Sequence, residues 1–223
     1  MITFADIICH LRGPRRTIRP HGVSALSAIA LALTALPAAA HDFGRNSDLY
    51  ASFVEGGKVV LSDISLLLVM AAAGCLTSIW DREGMPKIWT ALAAGILAGF
   101  AAPLAFFTLP ALASLGTAVL LGLLAAAALH LPLSTARAIL FAAGLALTAG
   151  TLGGHETGSV PTGAYFGIFF TLNAGVVVAA ALVTLARRHF NERVALIAAR
   201  AFSSWLVAIA IMLLALSFRQ VGA

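Results

Sequence analysis

Few side chains in this chain could do chemistry. Those with metal-binding character are His41 and Asp42, Asp63, Met70, the adjacent pair His155-Glu156, and Asn173. Imidazole nitrogen suits nickel, copper, zinc or iron, and a carboxylate adds a hard oxygen. Met70 and Gly74 lie seven and eleven residues beyond Asp63, a spacing that shares one helical face. An Asp–Met face suits a cation path. Each candidate also has a plainer reading. His41 is the residue that follows a cleavage site, Asp63 caps a helix at the water boundary, and His155-Glu156 is a solvated turn in a glycine-rich loop. Asn173 either lines a polar path or hydrogen-bonds to a neighbouring helix. His130 lies at a helix end, and His189 sits among arginines that would repel a metal ion.

The elements that must hold these residues are membrane spans. Of 223 residues, 61% are hydrophobic and 10% charged, too little charge to cover the surface of a water-soluble domain. The apolar residues fall in runs of the ~20 residues needed to cross a bilayer. These runs are apolar nearly all round, as helices are when lipid is their solvent. The fold expected is all-α, a polytopic bundle of six transmembrane helices following a cleavable signal peptide. No Walker-type loop, zinc-protease motif, nucleophile elbow or haem-spaced histidine pair is present, so the chain does not read as an enzyme, and no resident cofactor is expected.

Residues 1–40 read as an export signal. Arg12, Arg15, Arg16 and Arg19 precede an apolar stretch from Val23 to Leu36, Pro37 ends it, and Ala38-Ala39-Ala40 offers a small-residue cleavage site. The alternative is an uncleaved anchor. A polar lead follows over 41–58, and the membrane domain covers 59–218 with a tail at 219–223. The expected spans are 59–80, 88–109, 111–129, 135–152, 163–185 and 194–218, the second carrying Pro103, which leaves the Gly99 carbonyl without its helical donor.

Charge sets the orientation. With the mature N-terminus outside, the inner ends hold Arg82, Lys87, Arg137, Arg187, Arg188 and Arg193, and the outer ends hold Arg45, Lys58 and Arg219. That bias has the sign found in bacterial inner-membrane proteins. It also accounts for the net charge of +5 without nucleic acid, since no basic face is present. Cys9 and Cys75 form no disulfide pattern. Gly95 with Gly99 and Gly163 with Gly167 are spaced for close helix approach in a compact bundle.

Several segments together resemble the HupE/UreJ family of nickel or cobalt permeases. A signal ends just before a histidine. The first span continues as Leu66-Leu67-Leu68-Val69-Met70-Ala71-Ala72-Ala73-Gly74. The third span runs from Leu120-Leu121-Gly122 to His130-Leu131-Pro132-Leu133. A Gly/His/Glu loop spans Gly150 to Glu156, and the fifth span carries Thr171-Leu172-Asn173-Ala174-Gly175. The chain departs from the family's His-Pro-x-x-Gly-x-Asp-His signature. Val59 to Leu66 hold no histidine, Asp63 is about two positions out of register, and Asn173 stands where the family has histidine. The resemblance implies a permease-like membrane protein carrying a divalent ion such as nickel or cobalt. Ions would enter past His41, Asp42, Asp63, His155 and Glu156 and pass Met70 and Asn173. The missing imidazoles favour an alternative on the same scaffold, a non-transporting membrane subunit or assembly factor. The expected partners are the lipid bilayer, a divalent metal ion, and a membrane protein or a second copy of the chain.

Overall fold

The computed structural model describes residues 48–81, 84–101, 110–129, 131–153 and 160–221. His41, Asp42, Pro103, His130, His155, Glu156 and the expected signal segment lie outside them. The described residues form seven α-helices and no strand: α1 Leu49–Ser62, α2 Ile64–Trp80, α3 Gly84–Ala101, α4 Pro110–Ala127, α5 Leu133–Leu152, α6 Thr162–His189 and α7 Glu192–Val221. Among them α5, α6 and α7 are long and apolar enough to cross a membrane, and there are up to four such spans if the bent pair α1–α2 is counted as one. The remaining two, α3 and α4, are shorter apolar helices.

The helix α2 is the centre of the bundle and packs against each of the other six. Twelve of its seventeen residues are buried. Its small residues, among them Ala72, Ala73, Gly74 and Cys75, let neighbours close in on every side. Around it α3 pairs with α5, α1 with α6, and α4 with α7. Each pair is joined at glycine. A β-carbon on Gly95 would fall on the Phe141 carbonyl, and one on Gly99 would come within 2.6 Å of Thr148 Cβ, fixing α3 on α5. Gly122 meets Val207 in the α4–α7 pair. The outer belt is apolar, with Trp205 at 74%, Ile197 at 66% and Leu182 at 62% exposure. Such a belt suits a lipid surround.

Two expectations near the N-terminus are refined. The stretch 41–58 is helical from Leu49 onward, within Leu49–Ser62. Glu55 and Lys58 hide a helical stripe of Ser52, Gly56, Val59 and Val60, all buried against the bundle. The first span is likewise not one continuous helix over 59–80. It breaks at Asp63, whose extended backbone (φ −91°, ψ 109°) turns the chain through 81°. The helix α7 continues to Val221, into the expected C-terminal tail.

Most basic residues among those described gather at one end, Lys58 on α1 standing apart. Trp80 Nε1 donates to the Leu131 carbonyl at 2.7 Å, Arg137 Nε to the Lys87 carbonyl at 3.2 Å, and Arg187 Nη1 to the Ser78 carbonyl at 2.7 Å. The α2–α3, α4–α5 and α6–α7 connections therefore share one face, with Lys87 paired to Asp81 and Arg187 to Glu192. Arg200 joins them from within α7 by donating to the Ala126 carbonyl at 2.8 Å.

Candidate functional site

The opposite end of α2 carries a polar elbow. Asp63 is the N-cap of α2, and its Oδ1 accepts from the Ser65 backbone N–H at 2.8 Å and from Ser65 Oγ at 2.7 Å. A carboxylate at a helix N-terminus answers both the free N–H groups and the positive end of the dipole. Ser65 Oγ in turn accepts from Ser114 Oγ on α4 at 3.0 Å. Asp63 is half-buried, Ser65 is buried, and Ser114 is fully enclosed. The hydroxyls thus lead from the half-exposed carboxylate into the bundle. The end of α5 closes over them: a β-carbon on Gly150 would lie 2.8 Å from Leu66 Cδ2 and 3.4 Å from Ser114 Cβ.

Met70 is buried two turns further along α2, about 10 Å deeper by helical rise. Its sulfur presses on Gly175 of α6, where a β-carbon could not fit. Gly74 makes the matching contact one turn on, 2.7 Å from the Ala180 nitrogen by the same test. The Met70–Gly74 face is therefore turned to α6, and Met70 reaches the segment that carries Asn173.

Asn173 is 8% exposed. Its Nδ2 donates to the Phe169 carbonyl of its own helix at 2.8 Å, so it does not bridge to a neighbouring helix through that group. Its Oδ1 is buried and accepts no hydrogen bond among the described residues. An orphaned buried amide oxygen costs about 1–3 kcal/mol. Asn173→Leu is therefore expected to leave the thermal unfolding midpoint in detergent unchanged, or to raise it by about 2–4 °C per kcal/mol recovered. A fall of more than about 5 °C would show that Oδ1 has a partner in the membrane.

The structure brings Met70 to the Asn173 segment and sets Asp63 apart with Ser65 and Ser114. Among the described residues no three histidine, cysteine, aspartate or glutamate side chains converge on a common metal position. Sequence reasoning missed Ser65 and Ser114, and the signal was there: Ser62-Asp63-Ile64-Ser65 has the side-chain types that start a helix. Comparison with known protein families, curated proteins and solved structures finds no match to this chain.

Proposed function

We propose that this protein is a permease-like bundle of the bacterial inner membrane, exported by a cleaved signal, with its mature N-terminus periplasmic and a divalent transition-metal ion of the nickel or cobalt kind as cargo. Six passes follow if α3 and α4 also cross. At 1.5 Å per residue each extends about 26 Å, close to the ~30 Å hydrocarbon thickness. The basic end, with Lys87, Arg137, Arg187 and Arg188, is then cytoplasmic.

The observation that carries the reading is the broken helix. A helix that ends and restarts within the apolar layer leaves carbonyls and N–H groups without partners, which lipid does not satisfy. Such breaks are kept where they face protein or a permeant ion. Here the break holds a half-exposed carboxylate, and the hydroxyls of Ser65 and Ser114 continue inward from it. The likeness of the Leu66–Gly74 and Thr171–Gly175 segments to HupE/UreJ permeases supports the same reading. An Asp63 carboxylate would attract the cation, and the Met70 thioether would offer a soft donor to a nickel-like ion.

One observation favours the alternative, a non-transporting subunit or assembly factor. Beyond the elbow, Leu66 and Val69 of α2 and Leu172 and Val176 of α6 are all fully buried, so apolar packing fills the interior past the hydroxyls. Uptake of radiolabelled nickel and cobalt into expressing cells separates the two. Asp63→Asn keeps a good N-cap while removing the charge, and should cut uptake by about tenfold, the worth of about 1.4 kcal/mol of ion binding. Asp63→Ala and His155→Ala should lower it as well. Wild-type uptake equal to that of cells lacking the protein would overturn the transport reading and leave the subunit reading standing.

A further inference from the structure

Beside the basic end, α6 and the start of α3 enclose a groove of about 470 Å³ that opens away from the bundle core. Its wall is apolar, formed by Val177, Ala181, Leu182 and Leu185 of α6 with Met85 of α3. Among the described residues a single charge lies in the lining, Arg188, at the end of the groove nearest the helix terminus. The two neighbouring arginines divide their roles. Arg187 turns into the bundle and is held by Ser78 and Glu192, while Arg188 is exposed and, among the described residues, has no ion-pair partner.

From Val177 to Arg188 the groove follows eleven helical steps, about 16 Å at 1.5 Å per step. One leaflet of hydrocarbon is about 15 Å thick, half of the ~30 Å core. The lengths agree, so an acyl chain laid along Ala181 and Leu185 would bring its phosphate to the guanidinium. Among the described residues, Lys87, Arg137, Arg187 and Arg193 lie at the same end, and the acidic groups there, Asp81 and Glu192, are bonded to Lys87 and Arg187. We propose that this groove is a binding site for one anionic phospholipid of the leaflet at the basic end, its acyl chain against α6 and its phosphate on Arg188. Basic pockets between helices at a membrane edge recognise such headgroups. The site needs only a bilayer around α6 and stands apart from any transport activity.

The test uses the purified full chain in detergent, titrated with dioleoyl phosphatidylglycerol or dioleoyl phosphatidylcholine, with bound lipid counted by native mass spectrometry. The wild type should bind the glycerol lipid about fivefold more tightly, the factor one membrane-edge cation supplies. Arg188→Gln should bring the ratio close to one, and Arg188→Lys should keep it. Arg193→Gln removes the same charge outside the groove and should also keep the preference. Ala181→Trp fills the groove and should abolish the preference with Arg188 intact. If Arg188→Gln fails to fold, the contrast of Arg188→Lys with Ala181→Trp decides. A wild-type ratio near one, equal losses in Arg188→Gln and Arg193→Gln, or an unchanged ratio in Ala181→Trp would each overturn the proposal.

Discussion

Gly167→Leu is expected to lower the thermal midpoint of the purified protein by about 6–12 °C, the equivalent of about 3 kcal/mol in a chain of this size. The helix α1 runs alongside the first half of α6 in the same direction, with Gly163 against Leu49 and Ser52, Gly167 against Phe53, and Gly57 against Thr171. At Gly167 the neighbour is backbone: a β-carbon there would fall on the Phe53 carbonyl, and another on Gly56 would fall on the Ala164 carbonyl. No rotamer change can relieve a clash with main chain, so α1 must shift as a body and lose the burial of Val59 and Val60 along with it. Gly116 of α4 is the control. Its β-carbon would meet nothing within 4 Å, so Gly116→Ala should raise the midpoint slightly, through a helix-propensity gain of about 0.5–1 kcal/mol. Equal falls for both variants, read by the loss of monodisperse protein on heating, would show that α1 is not seated on α6 in this way.

The second large effect is expected at Arg187. Its Nη1 donates to the buried Ser78 carbonyl at 2.7 Å, and its Nη2 pairs with Glu192 at 2.6 Å. A hydrogen bond to a charged group contributes about 1.5–3 kcal/mol, whereas an exposed ion pair contributes about 0–1 kcal/mol. Arg187→Met should therefore cost about 2–3 kcal/mol, nearly all of it from the Ser78 side. Glu192→Gln should cost less than about 1 kcal/mol. Arg187→Lys should not restore the wild-type midpoint, because a single ammonium cannot reach both partners with the geometry of the guanidinium fork. Orientation should survive in all three variants, since Arg188, Arg193, Arg137 and Lys87 still mark the same end. Accessibility of single engineered cysteines on either side of the membrane would check that. Comparable losses for Arg187→Met and Glu192→Gln would move the anchor to the ion pair.

The helix-forming stretches are legible in the chain because hydropathy alone outlines them. The runs ending at Trp80, Leu152 and Leu185 lie in helices, the last continuing to His189 through residues read as loop, and the small-residue pairs at Gly95/Gly99 and Gly163/Gly167 lie at helix contacts. What hydropathy does not carry is a break within an apolar run. Residues on both sides of Asp63 are equally greasy, so Val59 to Trp80 reads as one span. Only the Asp63 carboxylate, which takes the Ser65 N–H that a continuous helix would bond internally, divides it. The same limit hid α1, whose Glu55, Gly56, Gly57 and Lys58 read as a lead, although Gly56 lies against the Ala164 backbone of α6. At Asp63 the capping alternative describes the contacts that exist. At Asn173 the amide nitrogen turns back on its own helix, and its Oδ1 accepts no hydrogen bond among the described residues. The basic residues were read as charges that orient the chain. That Arg187 also stitches α6 to α2 depends on a contact across 109 residues, which no local pattern reveals.

That separation bears on how the bundle is put together. The central helix leaves the ribosome with Gly74 and Ser78 bare, and their partners Ala180 and Arg187 are not yet made. At synthesis rates of about 5–20 residues per second, the intervening 109 residues take about 5–20 s. Over that interval the nascent centre must be sheltered by lipid or by the insertion machinery, and α1 has no α6 to lie on. Truncation after α5 should therefore yield chains that insert but are cleared by quality-control proteases, while chains extended past Arg187 should become resistant.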